Sequence, residues 1–327
     1  MRFLKNQFIE MNIEKFSKLG MRASYGLLLN EYAEINKLFY VGACDTSTSA
    51  GLDRFKVNYP LRYVEMGISE QNAVGVAASI ALEGRPFLLS TFAPFISLRV
   101  AEQIKVMLGY DEAPVCLVGI ASGLVQSILG QTHCCLEDIG LMNLIPNISI
   151  NSPSNVTELN DYLSDYLNNP RPTYLRLTGD QNLVSDLNSS TIRNLQIKSK
   201  TKISGGVLLI STGSIARQVN DAVESLKSKV QDIDHLNISS LKPLEKLSIR
   251  QIIAKYDQIF TIEEHNTIGG LGSIMSDLLI EFNLKSKLTK IGVQDTYKSV
   301  GGSYFDCLVE NGLDPEGISK KVLNSIS

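Results

Sequence analysis

Apolar segments typical of strands alternate with segments of helical spacing over the first half of the chain. The strand candidates are continuous apolar runs, which are typical of a parallel sheet covered by helices on both faces. They are residues 38–43, 62–66, 86–91, 114–120, 148–151 and 173–177. The segments with helical spacing between them are residues 22–36, 69–84, 97–110 and 154–167. We therefore expect a doubly wound α/β domain with a parallel sheet over residues 15–185.

A polar stretch separates this half of the chain from a second, smaller unit. Residues 186–202, "DLNSSTIRNLQIKSKTK", contain few large apolar side chains, which is typical of a linker. The order of strand, turn and helix then returns over residues 207–226 and 256–282, and residues 290–295 add a further strand candidate. We expect a smaller α/β domain over residues 203–327.

Composition and charge exclude several classes of protein. A chain of 327 residues with 44% hydrophobic and 20% charged residues is typical of about two folded domains. The formal net charge of −3 and the scattered basic residues argue against binding to nucleic acid or to an anionic membrane. No apolar run approaches the roughly 18 residues of a membrane span. Five cysteines without a CxxC pair argue against a disulfide framework, and we expect a cytoplasmic protein.

Single motifs in this sequence are weak evidence of function. The turn "GGLGS" at residues 269–273 is similar to a phosphate-binding loop, but a tight turn between strand and helix explains it better. The segment "THCCLED" at residues 132–138 lacks the second, distant pair of ligands that zinc sites have, so we expect no metal site. His265 is expected to be a loop residue that makes local hydrogen bonds. Glu70 begins an apolar helical segment, where a carboxylate complements the helix dipole, so capping is its simplest role.

Four segments taken in order give a more specific signal. They are "VEMGISEQNAVGVAASIALEG" (residues 64–84), "LLSTFAPF" (88–95), "GLVQSILGQTHCCLEDIGLMNLIPNISINSPS" (123–154) and "TIEEHNTIGGLGS" (261–273). In this order they resemble the transketolase family, over its pyrimidine-binding domain and its C-terminal domain. The resemblance covers nearly the whole chain and implies thiamine diphosphate as the cofactor. It also implies that the C-terminal domain serves mainly in assembly.

The resemblance assigns roles to individual residues. It implies that Glu70 hydrogen-bonds N1′ of the cofactor's aminopyrimidine, which favours the tautomer that takes the proton from the thiazolium carbon. Phe92 and Phe95 match the aromatic residues that clasp the pyrimidine ring, and Asp45 in "GACDTSTS" matches a residue near the cofactor. His133 matches an active-site histidine that contacts the substrate near its reacting carbonyl and helps in proton transfer.

One motif of the family is missing from this chain. Transketolases bind the cofactor's diphosphate through Mg²⁺ with the motif GDG and a more distant Asn, because two anionic phosphates need a divalent anchor. The sequence contains no GDG. The resemblance therefore implies the C-terminal subunit of a split transketolase. Its partner, an N-terminal subunit, is expected to carry the Mg²⁺ and diphosphate site, in an α2β2 assembly.

The resemblance also implies the transfer of a two-carbon ketol unit from a ketose donor to an aldehyde or ketone acceptor. Arg22 and Ser49 match two positions that grip a substrate phosphate. The arginine expected near Gly179 is absent, and Leu129 replaces an acidic residue that contacts a substrate hydroxyl. A weakened phosphate clamp suggests that at least one substrate is a modified or nucleotide-linked sugar rather than a common pentose phosphate.

Three alternatives remain open at this stage. The β subunit of a 2-oxo-acid dehydrogenase is a separate chain of similar length with a Glu at this position. A deoxyxylulose-phosphate synthase fits the segment "GQTHCCLED" as well, but it normally carries all three domains on one chain. A non-catalytic scaffold is less well motivated, because Glu70, Phe92, Phe95 and His133 all keep the residue types of the family.

Overall fold

The computed structural model describes Phe16, residues 18–178, 205–297 and 302–326, and the backbone of residues 195–198. The strands are β1 (Tyr40–Ala43), β2 (Tyr63–Glu65), β3 (Phe87–Phe92), β4 (Val115–Ser122), β5 (Ser149–Asn151), β6 (Thr173–Thr178), β7 (Leu195–Lys198), β8 (Val207–Ser211), β9 (Ile233–Ile238), β10 (Ser240–Lys242), β11 (Gln258–Asn266) and β12 (Lys287–Val293). The helices are α1 (Met21–Ile35), α2 (Asp53–Asn58), α3 (Glu70–Leu82), α4 (Ala93–Ile96), α5 (Ala101–Gln103), α6 (Asp138–Leu144), α7 (Val156–Asn168), α8 (Ala216–Leu226), α9 (Lys246–Ile253), α10 (Leu271–Glu281), α11 (Tyr304–Asn311) and α12 (Pro315–Ile326).

The first domain is built on a seven-stranded sheet in the order β10-β5-β6-β4-β3-β1-β2. Its strands are parallel, except that β10 pairs with β5 in the antiparallel direction. Successive side chains of β3 lie on opposite faces of the sheet. Phe87 and Leu89 pack with α3 on one face, whereas Leu88 packs with α1 and α7 on the other. Helices thus cover both faces, as continuous apolar strands require. The prediction of a doubly wound parallel sheet is confirmed.

The predicted helix over residues 97–110 differs from the structure. The chain forms the short helix α4, breaks after Ile96, and resumes as α5, which continues into a π-helix over Ile104–Tyr110. Pro94 favours the start of α4, and the Ser97 hydroxyl donates a hydrogen bond of 2.6 Å to the carbonyl of Ala93, which competes with helix continuation. Hydrophobic spacing alone does not encode this break.

The second domain contains a five-stranded sheet in the order β12-β11-β8-β9-β7. Four strands are parallel, and β7 pairs with β9 in the antiparallel direction. The α/β class expected for this half is confirmed. Strand β7 lies inside residues 186–202, the range predicted as the linker, so part of that range belongs to the second sheet. The domain limits otherwise stay a prediction.

The two domains share a sheet edge and a core. The strand β10, which follows β9 of the second domain, extends the first sheet with Ser240 opposite Asn151. One hydrophobic cluster contains Ile150 of the first sheet together with Ile210 of the second. The position of the second domain relative to the first is therefore fixed by main-chain pairing as well as by apolar contact.

None of the helices in the described ranges is both long enough and apolar enough to cross a membrane.

Candidate active site

The carboxyl ends of the parallel strands β1, β2, β3 and β4 meet at one edge of the first sheet. The segments that follow these strands carry four of the residues predicted from the sequence. Asp45 follows β1, Glu70 follows β2, Phe92 ends β3 and His133 follows β4. Ligands of open α/β sheets bind at this edge, so the topology brings the candidates to the position where a site is expected.

Glu70 is the first residue of α3, and its side chain is 4% exposed. Among the residues that the structure describes, Arg99 is its partner: Nη1 donates to Oε2 of Glu70 at 2.8 Å. Burial of a carboxylate is costly, and both the guanidinium and the positive end of α3 offset that cost. The carboxylate contacts a side chain rather than the backbone N–H groups of its own helix. This contact argues against capping as the main role of Glu70.

Three rings stand beside this ion pair. The ring centroids of Phe92 and Phe95 are 6.1 Å apart, and those of Phe95 and His133 are 5.3 Å apart, in both cases nearly edge to face. The guanidinium of Arg99 lies 4.2 Å from the centroid of Phe95. Arg99 thus joins the buried carboxylate to the aromatic group. A flat heterocycle with a basic ring nitrogen fits this combination of ring edges and one carboxylate.

His133 lies in a loop that begins directly after β4. Gly123 and Cys135 pair at the base of the loop as an isolated antiparallel bridge. Nδ1 of His133 lies 3.0 Å from the hydroxyl of Thr132, and the imidazole is half-buried. The ring is therefore positioned by Thr132 and the two Phe rings while it stays partly exposed, which suits a group that meets a substrate.

Three predicted residues lie outside the cluster of Glu70, Phe92, Phe95 and His133. Asp45 is exposed with a φ of 55°, and its backbone N–H donates to the carboxylate of Glu65. Arg22 is exposed at the start of α1, and Ser49 is half-buried in the loop after β1. That loop packs on α1, because a Cβ on Gly51 would lie 2.7 Å from the carbonyl of Arg22. In the described contacts, none of the three touches the cluster.

The cysteines near the site are neutral thiols. Burial, together with the nearby Glu70 carboxylate, raises the pKa of Cys44 to about 12. Burial also raises the pKa of Cys135 well above its ordinary value. A nucleophilic cysteine needs a depressed pKa, so neither thiol is suited to attack a substrate. Among the described residues, no group of three or more His, Cys, Asp or Glu side chains is arranged to hold a metal ion.

Sequence reasoning missed a buried polar network between the domains. Nε of Arg176 donates to Oδ2 of Asp138 at 2.8 Å, and the hydroxyl of Tyr174 donates to the same oxygen at 2.7 Å. Nη2 of Arg176 reaches the carbonyl of Glu264 at 2.8 Å. Burial by itself would raise the pKa of Asp138, but Arg176 beside it holds that pKa below its ordinary value. Arg176 is therefore a structural residue rather than the missing phosphate ligand, and Gly179 lies outside the described residues.

The glycine-rich turn at residues 269–273 is closed by a carboxylate of the protein itself. Glu263 accepts the backbone N–H groups of Leu271 at 2.6 Å and of Gly272 at 2.8 Å, so it caps α10. The interpretation as a strand-to-helix turn is confirmed. The expected loop position of His265 was wrong, because the residue lies buried at the end of β11. The expected local hydrogen bond is present, since its Nδ1 lies 2.7 Å from the carbonyl oxygen of Asn266. The side chains at the end of β11 accept hydrogen bonds from backbone N–H groups of both domains, and these bonds hold the end of the strand between the domains.

Comparison with known families agrees with this arrangement. The family model "Transketolase, pyrimidine binding domain" matches residues 17–182, and "Transketolase, C-terminal domain" matches residues 199–318. The chain belongs to the transketolase family.

Within that family the chain is similar to subunits of two-chain enzymes. It is 29% identical over 309 residues to one subunit of the apulose-4-phosphate transketolase of Phocaeicola vulgatus, covering 94% of this chain and 98% of that one. It is 28% identical over 296 residues to the 6-deoxy-6-sulfo-D-fructose transketolase subunit SqwH of a Clostridium species (strain MSTE9), covering 90% of each. A solved structure of a "split gene transketolase, inactive beta4 tetramer" superimposes with a TM-score of 0.79 at 26% identity, covering 93% of this chain and 98% of that one. Deoxyxylulose-phosphate synthases also match, but this chain spans only about half of their length.

Proposed function

We propose that this chain is the pyrimidine-binding subunit of a thiamine-diphosphate-dependent transketolase. The observation that carries the proposal is the buried carboxylate of Glu70, 2.8 Å from Arg99, beside the rings of Phe95 and His133 at the carboxyl edge of the sheet. When bound, thiamine diphosphate supplies a carbon nucleophile that takes up the two-carbon ketol unit. The chain's own task is to bind the aminopyrimidine, orient it and move one proton.

Each side chain of the cluster suits one part of that task. Arg99 engages Oε2 of Glu70, and we assign the remaining carboxylate oxygen to N1′ of the aminopyrimidine. The edges of Phe92 and Phe95 would hold the flat ring by aromatic contact. His133, half-buried and close to both rings, would donate to the substrate's carbonyl oxygen and exchange a proton there. Asp45 stays a prediction as a cofactor residue.

A partner subunit is part of the proposal. The sequence lacks the GDG motif, so we assign the Mg²⁺ and diphosphate site to an N-terminal subunit, in an α2β2 assembly. The two relatives carry the word subunit in their names, and the similar split-gene structure is described as an inactive tetramer of β chains. We infer that this chain alone likewise self-associates without turnover. The cytoplasmic location stays a prediction from the sequence.

The substrates are proposed by class. The names of the two relatives refer to a phosphorylated sugar and to a sulfonated sugar, both unlike the common pentose phosphates. In this chain, Arg22 is exposed at the start of α1 beside the loop that holds Ser49. A guanidinium there suits a phosphate or a sulfonate equally, because both present several oxygens to it. We propose a modified ketose as donor or product and an aldehyde or ketone as acceptor.

The experiment is reconstitution with an N-terminal transketolase subunit that carries the GDG motif. Calorimetry of the isolated chain with thiamine diphosphate and Mg²⁺ should show weak binding or none, and ketol transfer should begin only after the partner is added. The assay uses a panel of ketose donors, including xylulose 5-phosphate, apulose 4-phosphate and a sulfonated ketose. Tight stoichiometric binding by the isolated chain would refute the two-subunit assignment. A kcat/KM with xylulose 5-phosphate and ribose 5-phosphate of about 10⁴ M⁻¹s⁻¹ or above would refute the assignment of substrates.

A further inference from the structure

The loop that carries His133 rests on the second domain. Leu124, Cys134 and Leu136 of this segment are buried in the hydrophobic cluster of the second domain together with Phe260 and Ile262 of β11. The backbone N–H of Asn266 also donates to the carbonyl of Leu136 at 2.8 Å. His133, which we propose to act on the substrate, thus lies in a loop of the first domain that packs against residues of the second domain.

Glu264 of β11 holds the base of this loop. Its Oε1 accepts the backbone N–H of Leu124 at 2.6 Å, and its Oε2 accepts the hydroxyl of Tyr304 at 2.7 Å. The side chain lies so close to the loop that a Cβ on Gly123, where φ is 75°, would approach Oε1 to 2.3 Å. The carboxylate is 1% exposed, so the bond to Leu124 is made away from solvent and is correspondingly strong.

A series of backbone hydrogen bonds, each spanning three residues, connects Leu124 to His133. The N–H of Ser127 donates to the carbonyl of Leu124, the N–H of Gly130 to that of Ser127, and the N–H of His133 to that of Gly130, at 3.0, 2.9 and 3.0 Å. Three consecutive turns therefore begin at the residue that Glu264 holds and end at the imidazole. A displacement of Leu124 is transmitted to His133 because each turn takes its position from the preceding one.

We propose that Glu264 is a positioning residue for His133, so that the second domain sets the geometry of substrate binding. The proposal rests on the proposed function in one respect, the action of His133 on the substrate. It gives the second domain a task in each turnover: it fixes the loop between Gly123 and Cys135 at the carboxyl edge of the first sheet.

Hydrogen exchange of the isolated chain tests whether Glu264 holds the loop, and it needs neither the cofactor nor the partner subunit. Glu264→Leu removes both acceptors at similar volume, and deuterium uptake of the peptide 124–135 should become about tenfold faster, the effect of losing one well-formed buried hydrogen bond. Glu264→Gln should stay near the wild-type rate, because its amide carbonyl still accepts the N–H of Leu124. Unchanged uptake in Glu264→Leu would overturn the proposal.

Glu263→Leu is the matched control. Glu263 is the preceding residue of the same strand and is equally buried, but its carboxylate faces Leu271 and Gly272. Its loss should speed exchange at the start of α10 and leave the peptide 124–135 unchanged. Equal loosening of that peptide in both variants would mean general destabilisation of the domain and would also overturn the proposal. If Glu264→Leu fails to fold, Tyr304→Phe removes the hydrogen bond to Oε2 of Glu264 and keeps the one from Leu124 to Oε1, and a rate increase of about two- to threefold is expected.

Assays of the reconstituted enzyme distinguish the role of Glu264 in holding the loop from the proposed function. Glu264→Leu should lower kcat/KM for the substrate about tenfold. It should leave the exchange of the thiazolium C2 proton unchanged, because that step depends on Glu70. A fall in both quantities would indicate faulty assembly and contradict the proposal. If the wild-type pair itself shows no C2 exchange, the proposed function fails, whereas the exchange of the peptide 124–135 still decides whether Glu264 holds the loop.

Discussion

Glu70 and Asp138 are both buried acids of the first domain, but their surroundings differ. Asp138 and its partner Arg176 are 0% and 1% exposed, and Tyr174 donates to the same carboxylate. Glu70 is 4% exposed, whereas its partner Arg99 is 43% exposed and stacks on Phe95. The enclosed ion pair of Asp138 and Arg176 lies within the first domain, and its guanidinium also donates to the carbonyl of Glu264 in the second, so it has a structural role. A buried acid whose single described partner reaches solvent leaves room for a ligand, and that is the arrangement expected of a site.

Glu70→Ala should have the largest effect on activity. It removes the carboxylate that we assign to the ring nitrogen of the cofactor, so ketol transfer by the reconstituted pair should fall by about 10²–10⁴-fold. The melting temperature should change little, because Arg99 can return to water. Glu70→Gln should be nearly as damaging, since an amide is a poor proton partner. Stability loss with full activity of the folded fraction would contradict this and restore the capping role.

Asp138→Ala should have the opposite profile. The substitution leaves the guanidinium of Arg176 buried without its counter-charge, which costs about 3–5 kcal/mol of unfolding free energy. Urea unfolding of the isolated chain measures this loss. Asp138→Asn is the matched control, because it keeps the shape and the acceptor for Nε of Arg176. An unfolding free energy within about 1 kcal/mol of wild type for Asp138→Ala would mean that the ion pair contributes little to stability.

The comparison of Glu70 with Asp138 also shows which parts of the structure could be predicted from the sequence. Phe92, Phe95 and His133 lie within 5.3–6.1 Å of one another, as the order of the four segments suggested, although their roles stay predictions. Those positions follow from the topology, because parallel strands bring their carboxyl ends to one edge. The two α/β domains were predicted from the spacing of apolar residues, which determines strand and helix order. Their identification as pyrimidine-binding and C-terminal domains came from the resemblance to the transketolase family.

Arg99 could not be predicted in this way. Arg99 lies in the break between α4 and α5, from which it reaches Glu70, and the helical spacing of the sequence continues through this break. The pairing of Asp138 with Arg176, and the addition of the three-residue strand β10 to the first sheet, depend on contacts distant in sequence. Short or polar elements whose partners lie far along the chain carry no local signal.

The pH dependence of stability should reveal Glu263, a buried acid of the second domain. Burial raises the pKa of Glu263 to about 7, although backbone N–H groups of Gly272 and Leu271 oppose the rise. The folded protein therefore holds this proton more tightly than the unfolded chain does. Glu263 therefore contributes its full stabilisation below pH about 4.5, and this contribution is lost as the pH rises through about 7. It amounts to at most about 3 kcal/mol of unfolding free energy.

Urea unfolding of Glu263→Gln near pH 5 and near pH 8 measures that contribution. The variant should lose less stability than wild type over this interval. Part of the pH dependence should remain, because burial also raises the pKa of Glu264 to about 7. An equally steep pH dependence in variant and wild type would show that Glu263 does not titrate in this range.

Arg99→Gln should have the smallest effect and should decide how the ion pair with Glu70 works. If Arg99 orients the carboxylate, its loss lets Glu70 rotate, and kcat of the reconstituted pair should fall about tenfold. Stability should fall less than in Asp138→Ala, because the side chain of Arg99 is 43% exposed and the positive end of α3 still offsets the charge of Glu70. Arg99→Lys is the control: it keeps the charge but loses the planar contact with Phe95, so an intermediate kcat is expected. Tighter cofactor binding or a higher kcat in Arg99→Gln would mean that Arg99 competes with the cofactor for Glu70, and that the two acids differ because one ion pair must open for function.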